Sequence, residues 1–383
     1  MKILNQLLRR HAGSPSSALQ GVESRNARIG TVINDALASA GLGRSTRQGG
    51  DIAAVIDDAL TRAGLRKPVD KDEVLTAHVL PELPATAPLL ETREVKPQRR
   101  GQFLSRSFTS PAGLLAYKVY VPASYASSPA RRYPLVVMLH GCTQSPDDFA
   151  AGTRMNALAE QQGFLVAYPA QSANANGSKC WNWFRPQDQQ RGKGEPALIA
   201  GMATQLAGEY RIDPVRIYVA GLSAGAAMAV VLGRTYPDVF AAVGVHSGLP
   251  YRAAHDVGSA FAAMKGNAAR TTTADTLVPT NVFHGDRDHT VAVANGTAVI
   301  EQVGRAGVAV TQARQESGTA VGGRSFTRTD YSDASGRVVV EDWRIHGGGH
   351  AWMGGSATGT YTDPQGPDAS VEMLRFFLEH ARH

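Results

Sequence analysis

Ser223 stands between Gly221 and Gly225 in a Gly-x-Ser-x-Gly run. A neutral serine hydroxyl is a poor nucleophile. It becomes a good one when an imidazole takes its proton and a carboxylate orients that imidazole. Downstream, the chain offers both partners. The run from His284 to Val291 holds two acids, Asp286 and Asp288, and the run from Ile345 to Trp352 holds two histidines, His346 and His350. The order serine, acid, histidine is the order expected when the serine sits on a strand-to-helix elbow. Either acid could serve, although Asp286 suits the turn itself. His346 ends a strand, where a histidine is more often structural. His350 lies beyond Gly347, Gly348 and Gly349, in a loop expected to be mobile enough to reach the serine. His140, His246 and His284 read as core or supporting groups. The case for a bound metal is weak, and neither a metal nor another cofactor is expected.

The residues around Ser223 are those an elbow needs. Val215 to Ala220 is a mostly apolar, β-branched run that reads as a strand, and Ala224 to Met228 is a run of small residues that lets a helix start close against it. Side chains at 221 and 225 would collide across so sharp a bend, which accounts for the two glycines. The backbone N–H of Ala224 then lies at a helix N-terminus, where it can stabilise an anion.

The remaining elements follow from periodicity. Leu115–Val121 alternates and reads as a strand. Leu135–His140 is a continuous apolar run, as in a strand buried on both faces. A helix is expected around Gly152–Gln162, a strand at Phe164–Tyr168 and a helix over Pro196–Glu209. Between the last two lies a long polar loop, Gln171–Gly194, with an aromatic knot at Trp181, Asn182, Trp183 and Phe184. Loops of such length are commonly functional. Beyond the elbow, strands are expected at Ala241–His246, Asn281–His284, Val308–Gln315, Ser325–Tyr331 and Arg337–Trp343, with helices at Val293–Ala306 and Val371–His380. Alternating buried strands and helices imply an α/β fold with a mostly parallel central sheet flanked by helices. In such folds ligands bind beyond the carboxyl ends of the strands, where Cys142, Ser223, Asp288 and His350 all fall.

Composition narrows the classes. The chain has 383 residues, 43% of them hydrophobic, and a net charge of +6. Residues 1–100 carry +4 of that excess and the remaining 283 carry +2. A nearly balanced main region argues against a nucleic-acid partner. No run approaches the roughly 18 apolar residues of a membrane span. Met1–Arg10 makes a poor secretion signal, because Asn5, Gln6, Arg9 and Arg10 break its apolar run. Cys142 and Cys180 are the two cysteines. They could be buried thiols or one disulfide.

Residues 1–100 read as a separate region. They hold an internal repeat, Val32–Leu42 and Val55–Leu65, each copy a short amphipathic helix closed by a glycine. Helices this short must dock on each other, on the main domain or on a partner. Five prolines between Arg66 and Gly101 suggest a linker or strap. The expected division is therefore a helical, Pro-linked extension over 1–100 and a catalytic domain over 101–383.

From about Gly101 onward the chain resembles the polyhydroxybutyrate depolymerase-type esterases, a family of α/β-hydrolases related to feruloyl and acetyl esterases. The resemblance rests on Leu139–Gln144, Cys180–Phe184, Gly221–Gly225, His284–Val291 and Gly349–Trp352, in that order. It implies Ser223 as nucleophile, Asp288 as acid and His350 as base, and favours Asp288 over Asp286 by spacing. It further implies an oxyanion hole made by the N–H groups of Cys142 and Ala224, and a Cys142–Cys180 disulfide. That bond would hold the aromatic knot beside the oxyanion loop, which makes Trp181, Trp183 and Trp352 candidate substrate contacts. The expected activity is hydrolysis of hydroxyalkanoate oligomers or small acyl esters through an acyl-enzyme. Alternatives are a carbohydrate esterase of the feruloyl or acetylxylan type, a serine peptidase of the prolyl-oligopeptidase sort, and a granule- or surface-binding protein with an idle hydrolase domain. The cysteine pair and the resemblance favour an extracellular or periplasmic location; the N-terminus leaves a cytoplasmic one open.

Overall fold

The computed structural model describes residues 101–268, 278–304 and 312–382. The helical repeat expected in 1–100 lies outside the described residues. So does the boundary between the two expected regions.

The described chain opens with a hairpin, β1 (Gln102–Ser110) and β2 (Gly113–Val121), and a short helical turn, α1 (Ser124–Ser127). Next come β3 (Tyr133–Leu139), α2 (Pro146–Thr153), α3 (Met155–Gln162), β4 (Leu165–Pro169) and α4 (Gly194–Glu209). The elbow region is β5 (Ile212–Leu222) followed by α5 (Ala224–Thr235). Then follow β6 (Ala242–His246), α6 (Val257–Met264), β7 (Thr280–Gly285), α7 (Ala294–Gly304), β8 (Gln312–Thr319), β9 (Ser325–Ser332) and β10 (Val338–Ile345). A two-stranded pair, β11 (Trp352–Met353) and β12 (Thr362–Asp363), precedes α8 (Ala369–Leu378).

The large sheet runs β1-β2-β4-β3-β5-β6-β7-β10-β9-β8. From β4 to β10 the neighbours are parallel. Both ends are antiparallel, through β1–β2–β4 on one side and β10–β9–β8 on the other. The sheet is thus mixed rather than mostly parallel. Its parallel centre comes from helical crossovers, its edges from hairpins.

The central strands have two apolar faces, and period-two alternation sorts their side chains. Leu135, Val137 and Leu139 of β3 point to the face covered by α4 and α5. Val136 and Met138 point to the other, with Phe149, Met155, Met373 and Phe377 of α2, α3 and α8. Several local expectations shift. The single helix around Gly152–Gln162 is two helices, because Arg154 takes a left-handed backbone (φ 55°) between them. Pro146 starts α2, capped by the Ser145 side chain, which accepts from the Asp148 N–H. Among the elements the sequence did not announce are β1, which is polar and largely exposed, α6, and the short α1, β11 and β12.

Candidate active site

β5, β6, β7 and β10 are neighbours, and their registers place Leu222, His246, Phe283 and Trp343 in one row across the sheet. The residues just past that row emerge at one carboxyl edge. Ser223 follows Leu222 directly, with φ 58° and ψ −119°. This is a sparsely populated conformation for a non-glycine residue, held because the Ser223 N–H donates to His246 O at 2.9 Å and its carbonyl accepts from the Ala227 N–H at 2.9 Å. The flanking glycines are required. A Cβ at 221 would lie 2.4 Å from the Gly225 carbonyl carbon, and one at 225 would lie 2.1 Å from Leu139 O. The second clash adds to the expected reason, since the elbow is packed against the end of β3 as well as against itself.

Asp288 and His350 form a pair at that edge. Asp288 Oδ1 accepts from the N–H groups of Thr290 and Val291, at 2.9 and 2.8 Å, and Oδ2 accepts from His350 Nδ1 at 2.7 Å. The acid's side chain is fully buried, and 12% of the histidine's is exposed. Burial on its own would raise the Asp288 pKa. Hydrogen bonds from His284 and His350 and from the Val291 N–H overcome it and hold the carboxyl well below the usual range. An ionised carboxylate only accepts, so His350 carries its proton on Nδ1 and keeps a lone pair on Nε2.

The other acid and the other histidine also pair. Asp286 Oδ2 lies 3.1 Å from His346 Nδ1, and Oδ1 accepts from the Gly347 N–H at 2.7 Å. His346 Nε2 is occupied too, 2.9 Å from Thr327 Oγ1. With both ring nitrogens engaged, His346 has no free base. The Asp286 carboxyl titrates low: burial pushes up, but His346 and the Gly347 N–H prevail. These contacts correct the idea of a mobile histidine loop. The Asp286 and Arg287 N–H groups donate to Ile345 O and Gly348 O at 3.0 and 2.9 Å, and a Cβ on Gly285 would lie 2.3 Å from Gly348 O. The glycines serve close packing between two loops and the left-handed turn at Gly347 (φ 71°).

Three histidines support the edge. His246 is sandwiched between Phe283 and Trp352, and its Nε2 accepts from the Met353 N–H at 3.0 Å, three residues past His350. Burial pushes its pKa down to about 3, so it stays neutral. His284 Nε2 lies 2.8 Å from Val291 O and 3.5 Å from Asp288 Oδ2. His140 Nδ1 donates to Gly141 O at 2.7 Å and Nε2 accepts from the Gln171 N–H at 3.1 Å.

The loop after β3 is held from three directions. Cys142 is bonded to Cys180. The Thr143 N–H donates to Ser178 O at 2.7 Å. Gln144 accepts from the Gly141 N–H at 2.9 Å and donates to Asp148 at 2.9 Å. Among the described residues, neither the Cys142 nor the Ala224 N–H donates to a protein acceptor. Ala224 opens α5, where the first N–H groups have no intrahelical partner.

The tryptophans do not fit the role of substrate contacts. Trp181, Trp183 and Trp352 are 0, 6 and 1% exposed. Trp181 Nε1 donates to His140 O at 3.1 Å, and Trp352 Nε1 donates to Ser370 at 3.0 Å. Trp183 packs edge-on against Phe184. Large apolar rings with one donor satisfy a core site better than a wet one, and here they brace the loops that carry Cys142 and His350. One contributor gave no signal in the sequence. Glu195, in the first turn of α4, accepts from the Gln171 and Asn182 side chains at 2.5 and 2.6 Å and from the Asn182 N–H at 2.7 Å. It thereby ties the aromatic knot to the sheet. Burial, then the charge of Asp188, push its pKa up to about 7 against those donors.

Comparison with known proteins identifies the family and the fold. A family described as esterase PHB depolymerase matches residues 115–321. Poly(3-hydroxyalkanoate) depolymerase C of Paucimonas lemoignei is 37% identical over 269 residues, 67% of this chain and 61% of that protein. Poly(3-hydroxybutyrate) depolymerase of Ralstonia pickettii is 32% identical over 266 residues, 64% of this chain and 53% of that protein. The chain thus spans less than two thirds of either relative. Acetyl xylan esterase from Aspergillus awamori shares the fold, with a TM-score of 0.58 at 20% identity over 72% of this chain and 99% of that one. The sheet order, the strained serine after β5 and the match across 115–321 lead to one conclusion: the chain belongs to the esterase PHB depolymerase family.

Proposed function

We propose that this chain is a serine carboxylic ester hydrolase acting on hydroxyalkanoate oligomers or small acyl esters. The observation that carries the reading is the buried Asp288–His350 pair, 2.7 Å apart, at the sheet edge where Ser223 stands in its strained turn. His350 Nε2 takes the Ser223 proton as Oγ attacks the ester carbonyl. The N–H groups of Ala224 and Cys142 stabilise the negative oxygen of the tetrahedral intermediate. The alcohol leaves with the proton from His350, giving an acyl-enzyme. His350 then deprotonates a water that releases the acid and regenerates Ser223. Asp288 holds the tautomer and balances the imidazolium throughout.

The substrate class is supported by the two depolymerases that match over more than 60% of this chain. A carbohydrate esterase is the second reading, favoured by a shorter match: feruloyl esterase B of Neurospora crassa is 35% identical over 144 residues. The Cys142–Cys180 bond supports an extracellular or periplasmic location, since such bonds persist in oxidising compartments. No described helix is long and apolar enough to cross a membrane. Chemistry is assigned to residues 101–383, and residues 1–100 to docking. Hydrolysis of p-nitrophenyl butyrate by the protein and its Ser223→Ala variant tests the reading. The expected result is turnover that falls by several orders of magnitude in the folded variant. A chain with an idle hydrolase domain gives no turnover at all. A shortened chain starting at Gly101 should retain most of the activity; if it folds and loses it, the extension shapes the site.

A further inference from the structure

Beside the loop that carries Cys142 lies an open cleft of about 490 Å³, lined by Thr143, Gln144, Asp148, Lys179, Thr360 and Tyr361 among others. It borders both halves of the site. Thr143 follows Cys142. The Tyr361 carbonyl accepts from the Trp352 N–H at 2.7 Å, two residues past His350, and its hydroxyl lies 3.4 Å from Thr143 Oγ1. Tyr361 therefore bridges the histidine loop and the oxyanion loop, with 49% of its surface exposed. Thr143, Lys179 and Tyr361 all have left-handed backbones, with φ of 68, 52 and 52°. Non-glycine residues persist in that region only where the surroundings fix them. Here three of them line one cleft, and the Lys179 N–H is tied to Asn176 O at 2.8 Å.

The charges of the cleft are unequal in availability. Asp148 is consumed internally: Oδ1 accepts from the Thr360 N–H at 2.9 Å, and Oδ2 from Thr360 Oγ1 and Gln144 Nε2 at 2.6 and 2.9 Å. Lys179, by contrast, makes no ion pair among the described residues. Its position is set by the disulfide. The Cys142 and Cys180 Cα atoms are 4.2 Å apart, and consecutive Cα atoms are about 3.8 Å apart. The Lys179 backbone thus stands within about 8 Å of the Cys142 backbone, which leaves its flexible side chain to span the cleft beside the Cys142 N–H.

We infer that Lys179, with Tyr361 and Thr143 as walls, is a subsite for the terminal carboxylate of a short hydroxyacid oligomer. This inference rests on the esterase reading and narrows it, because a free carboxylate one unit from the scissile ester is a feature of hydroxyacid oligomers and not of acetylated sugars. It makes the enzyme selective for acid-ended chains over the same chains with a capped end.

The matched pair is the dimer of 3-hydroxybutyrate and its methyl ester, with cleavage of the internal ester followed by chromatography. The quantity is the ratio of kcat/KM for acid over methyl ester. The wild type should favour the acid by about threefold to fivefold, the size of one water-accessible ion-pair contact. Lys179→Gln should bring the ratio near one, mainly through KM, and Lys179→Arg should keep it well above one. Raising the ionic strength should shrink the wild-type preference. A wild type that cleaves both dimers with no preference, or a Lys179→Gln variant that keeps the preference, overturns the subsite and leaves the esterase reading in place. A wild type that cleaves neither dimer, nor p-nitrophenyl butyrate, overturns both.

Discussion

Two aspartate–histidine pairs sit on the loops after β7 and β10, and they differ in almost everything except residue type. In Asp286–His346 the side chains are 36% and 43% exposed, and both histidine nitrogens are engaged. In Asp288–His350 the acid is sealed, its oxygens are filled by two N–H groups and the imidazole, and Nε2 has no hydrogen-bond partner among the described residues. The first pair splices two loops together. The second can hold a base in one tautomer in a water-poor setting, where a charge interaction is strongest. Residue identity makes such a pair possible; burial and one unused nitrogen decide whether it can do chemistry.

The contrast can be broken most sharply at the histidines. His350→Ala should lower kcat on p-nitrophenyl butyrate by about 10⁴-fold or more, as loss of a triad base does. His346→Ala should change it by less than about tenfold. Steady-state kinetics on the two folded variants checks this, and comparable losses would erase the distinction. The acids come next. Asp288→Asn should cost about 10³–10⁴-fold in kcat, since the amide can donate to Nδ1 and reverse the tautomer. Asp286→Asn should instead cost at most about 1 kcal/mol of stability, as a half-exposed pair would. Thermal unfolding and kinetics, measured on both, separate the two outcomes.

A smaller effect is expected at the disulfide, which the first pair does not touch. Its loop spans 38 residues, and the chain-entropy model gives a stabilisation of roughly 3–4 kcal/mol. Reduction should lower activity at temperatures where circular dichroism still reports a folded chain, because the bond anchors the Cys142 loop. Loss of activity only together with global unfolding would show that the bond merely stabilises the fold.

The smallest effect is a pH dependence. Glu195 has its pKa raised to about 7 in the folded chain, chiefly by burial. The folded state therefore holds this proton more tightly than the unfolded state. Stability from this group is present below the ordinary glutamate range and falls as pH rises toward 7, then levels off. Glu195→Gln removes that titration. The stability of the wild type relative to the variant, from denaturant unfolding, should fall by a few kcal/mol between pH 5 and pH 8. A gap that does not change with pH would mean that the three donors keep Glu195 ionised throughout.

Much of this was legible in the chain itself. Gly221, Ser223 and Gly225 announce the elbow because the bend excludes side chains at fixed positions, a constraint local in sequence. The buried central strands are equally visible, since each must be apolar on both faces. What stayed hidden depends on distant partners. Nothing near Trp352 says that its ring stacks on His246 and that its N–H meets Ser370, so an aromatic two residues past His350 read as a substrate contact. Arg154 breaks a helix without glycine or proline because its guanidinium is drawn to Gly354 O and Asp368, at 2.8 and 2.6 Å. Glu195 looks like an ordinary first-turn acid until the knot it holds is folded over it. The glycines before His350 suggested freedom, yet they permit contact.

The most direct test of the account is covalent labelling by a fluorophosphonate, located by peptide mass spectrometry. A single adduct is expected, on Ser223, formed rapidly in the wild type and in His346→Ala and very slowly in His350→Ala. An adduct on another residue, no adduct at all, or loss of labelling in His346→Ala with retention in His350→Ala would contradict it.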